Sequence, residues 1–274
     1  MKKLITLMLV GLLCITAAAC SGIQKTATTD SATTSDSAAT SDSAQTPEPE
    51  DLVVSEKYYN VYAYDENDPD KKAQDTVTAY EYEFDSGGHP TKTTVKRDGK
   101  VEMTKETEYN AAGNIVKQTV FDADGIKTSV TSYEYDGNNK TKLVAYNADG
   151  KVSSELTYSY DEKGYLIEEH YRADDYSYTI KYENDEDGKA LTSTQSDENG
   201  SDMMKTTYKY DSNGRLICES RSYGFGAAAS GLSESEYEYD DRGNIVKEVC
   251  HDGNGGILYS YDRVYKTVRE LSGK

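Results

Sequence analysis

The chain has 274 residues, a formal net charge of −19, 25 tyrosines, three phenylalanines and no tryptophan. So large an acidic excess repels phosphate backbones, which argues against nucleic acid and against electrostatic docking on anionic lipid. Leu, Ile, Val and Phe are too sparse for an ordinary aliphatic core, so tyrosine must supply the buried area; each ring covers roughly 150–250 Å² and keeps a polar tip.

Residues 1–19 read as a secretion signal. Lys2 and Lys3 form the basic end, and Leu4 to Thr16 form an apolar core too short for a comfortable membrane span. Ala17-Ala18-Ala19-Cys20 places small residues before a cysteine. This resembles the lipobox of bacterial lipoproteins, which implies diacylation of Cys20, export, and a lipid anchor on a face of the membrane outside the cytoplasm. Residues 20–51 carry this cysteine and a Ser/Thr/Ala/Asp-rich stretch ending Pro47-Glu48-Pro49-Glu50. Such a composition buries too little to offset ordering entropy, so a flexible tether is expected before a folded domain at 52–274.

Within 52–274, Tyr-x-Tyr pairs or substitutes recur at Tyr62/Tyr64, Tyr82/Phe84, Thr107/Tyr109, Tyr133/Tyr135, Tyr158/Tyr160, Ile180/Tyr182, Tyr208/Tyr210, Tyr237/Tyr239 and Tyr259/Tyr261. A step of about 20–29 residues marks a repeat architecture. Spacing of two puts both rings on one face of a strand. Asp161-Glu-Lys-Gly164, Asp211-Ser-Asn-Gly214 and Asp240-Asp-Arg-Gly243 then read as tight turns, and Asp136-Gly-Asn-Asn139 follows the same logic with Asn in place of Gly. Asp at the first position accepts from the backbone two residues on, and Gly at the fourth tolerates a left-handed conformation. The count sets Tyr109 against Ile115, Tyr160 against Leu166, Tyr210 against Leu216 and Tyr239 against Ile245. A second turn, such as Asp122-Ala-Asp-Gly125, reverses the chain again. The expectation is an all-β antiparallel meander of about sixteen strands, with a longer loop at Ser222–Ser235. Open twisted sheets rarely exceed roughly ten strands without curling, so a strongly curved single sheet, an open half-barrel or a spiral, is expected.

Little in the chain suggests catalysis. His89, His170 and His251 are scattered, and no nucleophile elbow, phosphate loop or dinucleotide fingerprint appears. The acidic turns at Asp122, Asn184 and Asp252 lack the ligand pattern of a calcium loop. No enzyme activity, metal or cofactor is expected. Counting from the tyrosines places Cys218 on their face and Cys250 on the opposite one, which predicts two unpaired thiols. The same count puts the first members Tyr133, Tyr158, Tyr208 and Tyr237 opposite Leu143, Glu168, Cys218 and Lys247. They should be more exposed than the second members, and they are the candidate ligand-binding residues.

Tyr133-Glu-Tyr-Asp136, Tyr158-Ser-Tyr-Asp-Glu-Lys-Gly164, Tyr208-Lys-Tyr-Asp-Ser-Asn-Gly214 and Tyr237-Glu-Tyr-Asp-Asp-Arg-Gly243 resemble RHS/YD repeats. That resemblance implies hairpins adding side by side into a long, curling antiparallel sheet, which in large members forms a shell around a toxin or folding cargo. The chain is too short for such a shell, so the toxin-delivery role does not carry over. Two functions are expected to compete. One is a non-enzymatic cell-surface binding or adhesion module that contacts glycan or a partner protein through tyrosines. The other is a structural spacer, or a carrier sheltering an apolar guest in the concave face.

The anchor is testable in cells. Cys20→Ser should release the protein from the membrane fraction and abolish labelling by a palmitate analogue. A wild-type protein that stays with membranes unlabelled overturns lipidation.

Overall fold

The computed structural model describes residues 51–60, 76–224 and 232–273. These belong to the second of the two units into which the chain divides, Glu48–Lys274. The signal, Cys20 and the pair Tyr62/Tyr64 lie outside the described residues.

Sixteen strands are described. The first eight are β1 (Asp51–Asn60), β2 (Thr76–Phe84), β3 (Pro90–Arg97), β4 (Lys100–Tyr109), β5 (Ile115–Asp122), β6 (Lys127–Asp136), β7 (Asn139–Asn147) and β8 (Val152–Tyr160). They continue as β9 (Leu166–Ala173), β10 (Tyr176–Asn184), β11 (Ala190–Asp197), β12 (Asp202–Tyr210), β13 (Leu216–Tyr223), β14 (Leu232–Tyr239), β15 (Ile245–Asp252) and β16 (Ile257–Thr267). Each pairs antiparallel with its chain neighbours, so the hairpin meander is as expected. One capped helical turn, α1 (Val268–Ser272), follows β16 and buries no residue.

The tight turns form for the reason their residues suggest. Asp161 donates its N–H to Tyr165 O at 2.9 Å, and Gly164 donates to Asp161 O at 3.0 Å. The Asp161 carboxylate accepts from the N–H groups of Lys163 and Tyr165, while Gly164 takes φ +84°, a conformation that side chains resist. Tyr160 then faces Leu166, as counted. The next pair is Ser159 with Glu168, so Ile167 is an extra, bulged residue. The equivalent bulge recurs in the even-to-odd hairpins.

This bulge corrects several expectations, because one extra residue reverses which side chains share a face. Tyr133 does face Leu143. Tyr158, Tyr208 and Tyr237 face Glu169, Glu219 and Glu248 rather than Glu168, Cys218 and Lys247. Cys218 pairs with Lys209 on the face away from the tyrosines, whereas Cys250 pairs with Tyr259 on their own face. The thiols are free and on opposite faces, but with the two faces exchanged. In β10 the residue facing the bulge start is Asn184, opposite Ala190. The pair equivalent to Tyr158/Tyr160 is therefore Tyr182/Asn184 and not Ile180/Tyr182. Asp136 pairs directly with Asn139 across a two-residue turn, which brings Tyr135 against Lys140. The expected loop at Ser222–Ser235 is shorter than proposed, since Ser222 already pairs with Leu232; residues 225–231 lie outside the description.

The largest correction concerns closure. The sheet is a closed barrel, not an open half-barrel or spiral. β1 and β16 pair over nine residues, with Tyr265 facing Val53 and a bulge before Ser55. That register copies Tyr239 against Ile245 at the neighbouring hairpin. The two ends of the domain thus make one more hairpin without a turn. Closure pairs the backbone edges that an open sheet would leave exposed.

The barrel alternates long and short seams. β8 and β9 share seven pairs, from Ser154–Ala173 to Tyr160–Leu166, whereas β7 and β8 share five. Where each short seam stops, the first residue of the bulge keeps a carbonyl that the ladder does not reach. Tyrosine supplies the donor. Tyr160 donates its hydroxyl to Lys140 O at 2.8 Å, Tyr135 to Ile115 O at 2.9 Å and Tyr210 to Ala190 O at 2.8 Å. Tyr109, Tyr239 and Tyr265 reach Pro90, Leu216 and Ile245 in the same way. Asn184 replaces the tyrosine once and donates its Nδ2 to Leu166 O at 2.8 Å. Phe84 has no donor, and Tyr82 serves Val53 O at 2.6 Å instead.

Tyr160→Phe should therefore destabilise by about 1 kcal/mol, the worth of one hydrogen bond to a carbonyl that is otherwise left unpaired. Urea unfolding checks it; a midpoint equal to wild type would mean that the ring alone matters.

Candidate functional site

The two faces of the wall differ in chemistry. One carries cross-strand pairs such as Lys92–Glu83 at 2.8 Å, Lys117–Glu108 at 2.7 Å and Lys247–Glu238 at 2.9 Å, all well exposed. The other carries the tyrosine rows, together with buried Leu156, Thr206, Ser235 and Cys250. The tyrosine face is the inside of the barrel. The outer face carries these ion pairs together with exposed apolar residues such as Val77 and Val264. Among the described residues no helix is long and apolar enough to cross a membrane.

Two tyrosine rows ring the interior. The second members sit at the rim of the even-to-odd turns and hold the carbonyls described above. Their faces are covered by the residue that follows the turn glycine of the preceding hairpin. The His89 ring stacks on Tyr109 at 4.9 Å, Lys189 lies 5.9 Å from the centre of Tyr210, and Arg215 lies 5.0 Å from that of Tyr239.

The first members lie one row deeper, where the bulge has placed polar partners. Tyr133 donates to Gln118 Oε1 at 2.8 Å, and Tyr182 donates to Glu169 Oε1 at 3.1 Å. Tyr208 and Ser193 bond at 3.0 Å, and Tyr237 bonds the Glu219 carboxylate. Arg263 completes the ring in β16, bonding Glu56 at 2.8 Å and Glu248 at 3.3 Å. Arg221, beside them, pairs with Glu219.

Burial governs the electrostatics of this wall. It pushes the hydroxyls of Tyr158, Tyr182 and Tyr237 well above the usual tyrosine range, and those of Tyr178 and Tyr259 up to about 12. None of these rings is a phenolate base near neutrality. Glu169, only 8% exposed, is also raised by burial, against the opposing pull of its bond from Tyr182 and of the Lys140 charge. Burial likewise lowers Lys140.

The candidate residues Tyr133, Tyr158, Tyr208 and Tyr237 thus share one interior row instead of an outward platform. They are half-buried, as are Tyr135, Tyr160, Tyr210 and Tyr239, so the expected contrast in exposure is absent. Interior charges such as Glu56, Lys140, Glu169, Glu219, Arg221, Glu248 and Arg263 were not singled out from sequence; the bulge count that places them inside was the missing signal. The acidic turns explain themselves as turns, since Asp122 Oδ1 accepts from the N–H groups of Asp124 and Ile126.

One physical feature stands out. No aromatic ring among the described residues is fully buried. In a packed core the rings would exclude solvent, but a circle of sixteen strands is wider than one layer of side chains fills. The tyrosine rows therefore form an inner wall whose rings stay partly exposed, set among buried carboxylates such as Glu56, Glu169 and Glu219.

Glu169→Gln tests the electrostatics. A carboxyl raised on folding favours the native state below its unfolded pKa, and that contribution is lost as pH rises through the folded pKa. Gln mimics the protonated form and still accepts from Tyr182. The variant should melt above wild type near pH 8, with the gap closing toward pH 4. A gap independent of pH would show that Glu169 is not shifted.

Several solved structures resemble the barrel in part. A porin-like protein from Bacteroides uniformis is 13% identical over 78% of this chain and 96% of its own, with a TM-score of 0.47. A second porin-like protein, from Bacteroides vulgatus, is 14% identical over 78% of this chain and 98% of its own, at 0.28. A chain in the structure of TcdB2–TccC3–Cdc42 is 18% identical over 72% of this chain, with a TM-score of 0.27, and the match spans only 12% of that chain. No curated protein matches the chain. The profile of the teneurin YD-shell matches residues 56–271, which covers nearly all of the barrel, and the chain belongs to that family.

Proposed function

We propose that the protein is an exported, non-enzymatic binding module, held at the cell surface through Cys20, whose ligand contacts the tyrosine-lined interior of the barrel. The observation that carries this reading is that, among the described residues, no aromatic ring of the inner wall is fully buried. Ring faces left accessible beside carboxylates and guanidinium groups suit a ligand with both apolar faces and hydroxyls, as sugars have. Tyr133, Tyr158, Tyr208 and Tyr237 supply the faces. Gln118, Glu169, Glu219 and Arg221 supply hydrogen-bonding groups at the same depth. A wholly apolar guest fits less well, because burying Glu169 or the Arg263 cluster against hydrocarbon costs several kcal/mol without adding a partner. The outward Lys–Glu pairs keep the barrel in water beyond its tether, and membrane attachment falls to the lipid.

A glycan array probed with the Cys20→Ser protein tests this reading. The expected result is retention of a small set of oligosaccharides, weakened at least tenfold by Tyr158→Ala and little by the outward Lys92→Ala. Retention lost equally in both variants, or no retention at all, would overturn interior binding.

A further inference from the structure

The eight hairpin units repeat one inner-wall position with a single exception. The residue that faces the rim tyrosine, or its substitute, is Val53, Pro90, Ile115, Leu166, Ala190, Leu216 or Ile245 in seven of them. In the eighth it is Lys140, opposite Tyr135. The exception arises from the turn. Asp136-Gly137-Asn138-Asn139 is shorter than its counterparts, and its register brings a lysine to the place of an aliphatic residue.

The surroundings of this lysine are also unlike those of the interior arginines of β13 and β16. Arg263 is held by Glu56 and Glu248, and Arg221 by Glu219. The Lys140 ammonium lies 5.5 Å from the centre of the Tyr133 ring and 5.4 Å from that of Tyr158. Among the described residues it forms no ion pair. A π-face attracts a cation but cannot neutralise it. The nearby carboxyl of Glu169 takes its hydrogen bond from Tyr182, and burial disfavours its charged form. The result is a half-buried cation flanked by two ring faces, with Glu169 acting on it from beyond ion-pair distance.

We propose that Lys140, with Tyr133 and Tyr158, forms a subsite for a carboxylate-bearing sugar, the carboxylate meeting the ammonium and the pyranose face meeting a tyrosine ring. This rests on the reading of the interior as a glycan-binding wall and names the sugar class it selects: uronic-acid residues over neutral ones. A charge-assisted bond to a partly dehydrated ammonium is stronger than a neutral one.

The test uses the full chain carrying Cys20→Ser and three probes of matched length: a hexasaccharide of galacturonate, its methyl ester, and a sulfated neutral hexasaccharide. Calorimetric titration should show the galacturonate binding at least tenfold more tightly than its ester, with the sulfated probe no better than the ester. Lys140→Met should remove that preference while leaving the ester's affinity within twofold, and Lys140→Arg should restore most of it. Because seven equivalent positions are apolar, Lys140→Met should melt at or above wild type, so loss of fold cannot explain the loss of preference. Acid and ester bound equally, or a preference that survives Lys140→Met, overturns the subsite while leaving interior binding intact. Preference for the sulfated probe overturns the carboxylate assignment. Binding of none of the probes overturns the subsite, and the glycan array then decides separately whether the interior binds sugar at all.

Discussion

The structure depends on a hydrogen bond from a tyrosine hydroxyl to a backbone carbonyl one hairpin back. Each hairpin is internally well paired, but the seam to the next stops short of the rim. A carbonyl left there would face neither a strand nor bulk water on good terms, and an unmet acceptor of that kind costs about as much as a lost hydrogen bond. Tyrosine suits the gap because its ring spans the splayed strands while its tip supplies the donor. Asn184 shows that the donor is the essential part, since the much shorter amide makes the equivalent bond to Leu166. Phe84 shows it from the other side. With no donor in that place, Tyr82 turns to the carbonyl of Val53. A chain with few aliphatic residues can thus hold a sixteen-stranded wall together, because each tyrosine contributes ring area and a specific bond at once.

The same bond explains how the barrel closes. Tyr265 in β16 faces Val53 in β1 across the register that a covalent hairpin would impose, and its hydroxyl reaches Ile245 as the other rim tyrosines reach their predecessors. Nothing about the seam is improvised. The first and last strands are the halves of one repeat, so closure uses contacts already present around the ring. Eight units then satisfy every edge, and the count of strands follows from the repeat and not from the length of the chain.

Much of this was legible in the residues. The turn chemistry of Asp161 and Gly164 fixed hairpins where the spacing put them, and Tyr160 does face Leu166. The residue after that pair was not legible. A bulge leaves no mark in a pattern of alternating residues, yet it exchanges inside for outside along the rest of the strand. Glu169, Glu219 and Glu248 therefore read as surface acids in a chain full of them, and Cys218 and Cys250 were assigned to each other's faces. Closure was hidden for a related reason. Val53 is one valine in Leu52-Val53-Val54, and only its partner 212 positions away gives it a role.

The bulge also sorts charge by side, and this matters more for function than the net value of −19. Outside, lysine and glutamate alternate across strands at high exposure, where each pair is worth little and serves mainly to keep the wall wet. Inside, the charges are fewer and half-dehydrated, so each must find a partner or titrate. Glutamates do so through tyrosine hydroxyls, as Glu169 does with Tyr182, and arginines through glutamates, as Arg263 does with Glu56, whereas Lys140 lies against ring faces. A wall made of tyrosine hydroxyls is well suited to this arrangement, because a hydroxyl donates to a carboxylate without bringing a charge of its own. The rings of Tyr160, Tyr182 and Tyr210 stay partly exposed while their hydroxyls are engaged in hydrogen bonds that hold the wall together.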